Sequence, residues 1–296
     1  VAKIGRSGMG KSNRVWTVLS MLEWATDYFK EKKVPDPRLS IEWILAEALA
    51  IKRLDLYLQF ERPLSSKELD RIRPLVKRRA AHEPLQHITG FTDFLNAKIK
   101  VNRDVLIPRI ETEQLVDILL DDFSDQNEKV MNLLDIGTGS GCIPVSIKKE
   151  RPQWHCAGLD ISEKALETAR ENAILNDVEV SFHKADIFRL NEWQQREESN
   201  WDIIISNPPY ITPDEKPSLA KQVLEHEPPL ALFHEEPLQL YKKIIEFSYA
   251  CNAALYLECN EKTASGVKSI AEQIYSAATL LKDLDGNDRF VVCRNS

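Results

Sequence analysis

Residues 131–142 read MNLLDIGTGSGC. An apolar run ends at Asp135 and passes into Gly137, Gly139 and Gly141. In a doubly wound α/β sheet, ligands bind beyond the carboxyl ends of the strands, near the point where the strand order reverses. Glycines there let the backbone approach a ligand that a Cβ would hold away. The spacing is G-x-G-x-G. A dinucleotide fingerprint needs G-x-G-x-x-G, and Cys142 stands where its last glycine belongs. The loop therefore suits a nucleoside with a small charged tail better than a pyrophosphate. Alone, it is equally an ordinary strand-to-helix turn.

The surroundings supply a sheet. Strand-like runs occur at 131–137, 155–161, 178–186, 201–206 and 253–259, with helical stretches at 111–122, 162–175 and 238–250. The segment AATLLKDLDGNDRFVVCR (277–294) reads as two strands around a Gly286-Asn287 turn. The expected fold class is α/β: a seven-stranded, mostly parallel, Rossmann-like sheet closed by a C-terminal antiparallel hairpin. Before it, residues 1–85 read as a small helical domain. Its first helix is patterned by Val15, Val18, Leu19, Leu22 and Phe29, with Ser12 or Asn13 as N-cap. Its second carries Ile41, Ile44, Leu45, Ala48 and Leu49. A third starts near Ser65 or Ser66, where Pro74 is expected to bend or interrupt it. Residues 86–108 read as a hairpin linker, with strands through Ile99 and Val101 and through Val105 and Ile107 and a turn at Asn102-Arg103-Asp104. The larger domain is then 109–296.

The bulk numbers narrow the class. The chain has 296 residues, 43% hydrophobic and 29% charged, the composition of a globular protein. No apolar run approaches the ~20 residues of a membrane span, and no secretory signal pattern is visible; a cytoplasmic protein with no membrane partner is expected. Five cysteines form no C-x-x-C pair, and six histidines form no cluster, so no metal is expected. A net charge of −7 argues against a general nucleic-acid binder. Charge is uneven, however: Lys67, Arg71, Arg73, Lys77, Arg78 and Arg79 crowd one stretch, a solvated helix face by default or a patch for an acidic partner. GRSGMGKS (5–12) has P-loop spacing. A working P-loop follows a buried strand, whereas only VAKI precedes this one and helices follow it; a chance match in a leader is expected.

Three further strand ends carry chemistry. AGLDIS (157–162) places Asp160 25 residues after Asp135, where a carboxylate can accept from both ribose hydroxyls. KADIF (184–188) places Asp186 to accept from an adenine amino group, with Ile187 and Phe188 as apolar contacts. Either aspartate alone is more often an N-cap. IIISNPPY (203–210) sets Asn207, Pro208, Pro209 and Tyr210 after an apolar run. The prolines stiffen the turn. The Asn207 side-chain oxygen and the Pro208 carbonyl can grip both hydrogens of a planar NH2 group, and the Tyr210 ring can stack on that plane. Such a device holds a weakly nucleophilic nitrogen in line with an electrophile.

DIGTGSG followed by SNPPY resembles the class I S-adenosylmethionine-dependent methyltransferases that act on amino or amide nitrogen. A closer resemblance, from about residue 15 to the end, is to the HemK/PrmC family of release factor glutamine methyltransferases. It rests on PRLSIEWILAEAL (37–49), KRRAAHEPLQHITG (77–90), VLIPRIETEQLV (105–116), EHEPPLAL (225–232) and DLDGNDR (283–289). Ile110 departs from the second proline of the family's P-R-P-E-T-E.

The resemblance implies S-adenosylmethionine as donor, S-adenosylhomocysteine as product, and no metal. It implies as substrate the glutamine of the Gly-Gly-Gln loop of class-1 peptide chain release factors. Gly137, Thr138, Gly139, Ser140, Gly141, Asp160, Asp186, Ile187 and Asn207 would bind the donor; Asn207, Pro208, Pro209 and Tyr210 would hold the substrate amide and carry catalysis. The helical domain would recognise the rest of the substrate protein, with stretch 67–79 and Arg109 as candidates, and no sequence-specific nucleic-acid binding is expected. The rival readings are an adenine or guanine amino methyltransferase on DNA or RNA, a P-loop NTPase and a non-catalytic binding module.

Overall fold

The computed structural model describes residues 15–126, 129–195 and 200–295. The chain divides into two units at Thr89 and Gly90; the GRSGMGKS stretch lies outside the described residues.

In the first unit, apolar residues at helical spacing build one core. Helices α1 (Val18–Glu31), α2 (Pro37–Leu49), α3 (Ser66–Ala80) and α4 (Leu85–Thr89) bury Leu22, Phe29, Ile41, Ile44, Leu45 and Ile72 completely. Thr17, rather than Ser12 or Asn13, caps α1: its hydroxyl accepts the Ser20 N–H, and Val15 lies exposed before the helix. Ser65 caps α3 in a reciprocal box with Glu68. Pro74 does not break α3, which runs through it. The proline frees only the Asp70 carbonyl, and both residues face solvent, where water can satisfy it. The basic stretch is partly structural. Arg79 is buried, donating to Ser40 Oγ, the Glu83 carbonyl and the Pro35 carbonyl, and Arg78 forms a two-pronged pair with Glu83.

The second unit opens with an antiparallel hairpin of β1 (Phe91–Phe94) and β2 (Ala97–Lys100), turning at Leu95-Asn96. The expected second strand at Val105 and Ile107 is absent. Those residues are buried, which explains the alternating pattern, but Asn102 ends the ladder by accepting the Asp104 N–H and donating to Thr168. The elements that follow are α5 (Ile110–Asp122), β3 (Asn132–Ile136), α6 (Cys142–Glu150), β4 (His155–Asp160), α7 (Glu163–Leu175), β5 (Ser181–Lys184) and α8 (Leu190–Gln194). Then come β6 (Ile203–Ser206), α9 (Lys221–His226), α10 (Pro229–Leu232), α11 (Pro237–Ala250), β7 (Ala254–Glu258), α12 (Ala264–Ala271), β8 (Ala277–Lys282) and β9 (Asp288–Arg294).

The seven strands run in the order β5-β4-β3-β6-β7-β9-β8, with only the pairs involving β9 antiparallel. The final hairpin turns where the sequence places it, Gly286 having φ +85°. Strand residues alternate between two cores. Leu133, Ile203, Ile205 and Tyr256 pack with α5, α6 and α7; Leu134, Ile136, Ile204 and Leu255 pack with α11 and α12. Such double burial is why β3 and β6 are nearly continuous in apolar residues. From β3 the chain steps outward to β4 and β5, then returns to place β6 on the other flank of β3. The reversal opens a crevice beyond the ends of β3 and β6, where the glycine loop and the Asn-Pro-Pro-Tyr turn emerge.

Candidate active site

At this crevice lies a cavity of about 450 Å³ whose wall includes Gly137, Gly139, Asp160, Asp186, Ile187, Asn207 and Pro209. Residues from four strand ends, spaced over 73 positions, thus meet in one place.

The glycine loop is shaped by its own backbone. Gly137, Gly139 and Gly141 have φ +78°, +53° and +75°, conformations that a side chain resists. At Gly137 and Gly139 an added Cβ would meet nothing within 4 Å, because both open onto the cavity. Gly141 differs: its Cβ would come within 2.9 Å of Ala169 Cβ, so it is required by the packing of α6 on α7. Thr138 and Ser140 are buried, and the Ser140 carbonyl accepts from Asn172 on α7. Two of the loop's five expected ligands therefore face the cavity and three support the turn.

The charges concentrate beneath and beside this loop. Asp135 is fully buried, and neither carboxyl oxygen has a hydrogen-bond partner among the described residues. Burial pushes this carboxyl up to about 7; the Thr138 hydroxyl tempers the shift from outside hydrogen-bond geometry. Asp160 accepts the Gly139 N–H at 2.9 Å through Oδ2 and the Ser162 N–H at 2.9 Å through Oδ1. Burial raises its pKa, and the backbone donors oppose the rise. Asp186 accepts the Phe188 N–H at 2.9 Å, and the Phe188 ring stacks on His234 with centroids 5.9 Å apart.

The Asn-Pro-Pro-Tyr turn is held by side chains from elsewhere. Asn207 Nδ2 donates to Thr112 Oγ1 at 3.0 Å, and that hydroxyl donates to Glu258 Oε2 at 2.7 Å. Tyr210 is not on the cavity wall: its ring packs against the second core and its hydroxyl donates to Glu258 Oε1 at 3.4 Å. Burial pushes the Tyr210 phenol above its ordinary value and the Glu258 carboxyl up to about 7. Asn207 Oδ1 takes no hydrogen bond among the described residues.

Other wall residues stand outside the expected ligand set, although Val105 and Leu106 fall within VLIPRIETEQLV and Pro228 and Leu230 within EHEPPLAL. Asp104, Val105 and Leu106 come from the segment after β2, and Pro228, Leu230, Phe233 and His234 from α10 and its flanks. That second segment is stitched to the turn: Ile211 N–H donates to the Leu232 carbonyl and His234 N–H to the Ile211 carbonyl. It is also tied to the start of α5, because buried Glu227 accepts twice from Arg109, at 2.7 and 2.8 Å, and once from the Ile107 N–H. Arg109 is thus an internal anchor. No three His, Cys, Asp or Glu side chains are grouped to hold a metal, and no helix is long and apolar enough to cross a membrane, among the described residues.

Residues 20–90 match the model of the PrmC N-terminal domain, and residues 112–232 match that of the methyltransferase small domain. The chain is 36% identical over 289 residues to the release factor glutamine methyltransferase of Leptospira interrogans, covering 93% of this chain and 97% of that one. It is 37% identical over 271 residues to the enzyme of that name from Flavobacterium psychrophilum, covering 89% and 92%. Among solved structures, the hMettl16 catalytic domain in complex with MAT2A 3′UTR hairpin 6 superposes with a TM-score of 0.53 at 14% identity, over 75% of this chain and 82% of that one. That likeness speaks to the fold, which is the class I methyltransferase fold. Near-complete coverage at these identities, with both domain models matched, places the chain in the family of release factor glutamine methyltransferases.

Proposed function

We propose that the protein transfers a methyl group from S-adenosylmethionine to the side-chain amide nitrogen of the glutamine in the Gly-Gly-Gln motif of class-1 peptide chain release factors. The observation that carries this reading is Asn207, at the cavity wall with its amide NH2 committed to Thr112 and its carbonyl oxygen unclaimed.

The residues present fit the donor. The buried Asp135 carboxyl beneath the loop, unpartnered among the described residues, supplies negative charge that favours the donor's ammonium group without lining the cavity itself. The open faces of Gly137 and Gly139 leave room for its tail and ribose. Asp160 retains lone pairs for ribose hydroxyls beyond its two backbone bonds. Asp186 and Ile187 would flank the adenine, with the remaining loop residues Thr138, Ser140 and Gly141 supporting the turn. Bound there, S-adenosylmethionine supplies a methyl carbon made electrophilic by its sulfonium.

The protein's task is then positioning. An amide nitrogen is a poor nucleophile because its lone pair is shared with the carbonyl. Asn207 Oδ1 accepts one hydrogen of the substrate NH2 and the Pro208 carbonyl accepts the other, which orients the nitrogen and raises its electron density. Pro209 keeps the turn rigid. Tyr210, off the cavity wall and anchored through its hydroxyl, braces the turn from the core side. Selectivity for one protein among many that contain glutamine requires contacts remote from the reacting atom. Lys67, Arg71, Arg73 and Lys77, exposed on α3, are the candidates that remain once Arg78, Arg79 and Arg109 are assigned to internal bonds.

Transfer of labelled methyl from S-adenosylmethionine to purified release factor, DNA and ribosomal RNA in parallel tests the proposal. Label is expected on release factor alone; label on either nucleic acid instead would replace this reading with the amino methyltransferase one.

A further inference from the structure

Thr112 lies in the first turn of α5 and Glu258 at the end of β7, 146 positions apart. Both are buried, at 3% and 1% exposure. The β6–β7 register pairs Ser206 with Leu257, so Asn207 and Glu258 leave adjacent strands side by side. Thr112 bridges them. A threonine hydroxyl has one proton to give. When it is given to the Glu258 carboxylate, only lone pairs remain for Asn207, which must answer with its NH2. The amide oxygen is then forced to the opposite side. We propose that Thr112 and Glu258 are positioning residues that fix the flip of the Asn207 amide, so that Oδ1 and not Nδ2 is presented to the substrate NH2. This deepens the functional reading above and rests on it for the identity of the substrate.

The arrangement is selective because the alternative is repulsive. A flipped Asn207 would aim NH2 at NH2, donor against donor, at a half-buried position. Glu258 also accepts from Tyr210, so one carboxylate governs both polar side chains of the Asn-Pro-Pro-Tyr turn. Protonation of Glu258 removes the constraint. A protonated carboxyl can donate to Thr112, whose own proton is then free to turn to Asn207 and stabilise the wrong flip. Burial holds this carboxyl near neutrality, raised further by Glu111 of α5 and lowered by Arg289 of β9; Tyr241 of α11, Cys259 after β7 and Tyr210 are the other titratable groups facing it.

The experiment compares Thr112→Val, which keeps the shape and loses the hydroxyl, with Thr112→Ser, which keeps the hydroxyl. Release-factor methylation and donor affinity are measured on the intact protein. Thr112→Val should lower kcat about tenfold or more, with the donor Kd within about twofold of wild type, and Thr112→Ser should restore most of the rate. In wild type, kcat should rise with pH through about 7, the Glu258 range; Glu258→Gln should lower kcat and flatten that limb. Wild-type kcat in Thr112→Val, or an equal loss in Thr112→Ser, overturns the proposal. A readout independent of turnover is hydrogen exchange of the Asn207 side-chain amide by 15N NMR: slow in wild type and fast in Thr112→Val. If wild type transfers no methyl to release factor, the substrate assignment fails, while the exchange measurement still supports or refutes the relay.

Discussion

The glycine loop after β3 and the Asn-Pro-Pro-Tyr turn after β6 leave neighbouring strands and face the same cavity, yet they are built in opposite ways. The first is shaped by backbone. Three positive-φ glycines and an adjacent carboxyl, all within seven consecutive residues, set its form. The second is stiffened locally by two prolines, but its polar side chains are aimed by Thr112 and Glu258, 95 positions before Asn207 and 48 beyond Tyr210. A surface that accepts a flexible donor needs room and charge. A surface that must hold one planar amide needs a defined acceptor direction, and that demands a buried hydrogen-bond network.

The contrast can be broken by separating binding from turnover. The largest effect is expected at Asn207→Ala: kcat should fall about a hundred- to a thousandfold, as when a positioned hydrogen-bonding group is removed from an active site, with the donor still bound by calorimetry. Gly139→Val should do the reverse. Its positive φ and its opening onto the cavity predict donor affinity at least about tenfold weaker, while binding of release factor persists. Equal effects of both changes on donor binding would erase the proposed division of labour.

Two stability measurements probe the loop itself. Gly141→Ala should cost about 2–3 kcal/mol in denaturant unfolding, because its Cβ meets Ala169 at 2.9 Å in a strained conformation. Asp135→Asn should act oppositely. The Asp135 carboxyl has a folded pKa of about 7, above its unfolded value of 3.8, so the folded state binds more protons between those values and this group makes stability fall as pH rises through that window. Removing the charge should therefore stabilise the free protein at pH 8 by about 2 kcal/mol, less at pH 4, while weakening donor binding. Destabilisation at pH 8 would show that an internal partner holds the carboxylate. The smallest effect is expected from Arg71→Glu with Lys77→Glu, which should raise KM for intact release factor roughly threefold and leave KM for the donor unchanged; an unchanged KM for release factor removes that role for α3.

The difference between the two regions also explains what was legible in the sequence. The apolar runs of β3 and β6 report double burial directly, and the three aspartate-ended strands fall in the order that brings them to one crevice. Glu258 carries no such signal, and Thr112 lies within VLIPRIETEQLV with no spacing that assigns it a partner; only the fold makes them neighbours. Tyr210 is placed by sequence at the right turn, yet its hydroxyl is drawn inward by Glu258, a partner no spacing reveals. Burial of Val105 and Ile107 in the core imitates strand alternation, so the hairpin lies earlier than the pattern places it. Pro74 is tolerated within α3 because solvent can satisfy the carbonyl it frees. The basic residues of 67–79 are not equivalent, because Arg79 is buried in the core of its own unit.

The most direct test of the central claim is tandem mass spectrometry of the Gly-Gly-Gln peptide from a release factor incubated with the protein and S-adenosylmethionine. The gain of one methyl group is expected, placed by fragmentation on the glutamine side-chain nitrogen, and its loss when Asn207→Ala replaces wild type. An unmodified glutamine, or a methyl group elsewhere in the peptide, would contradict that claim.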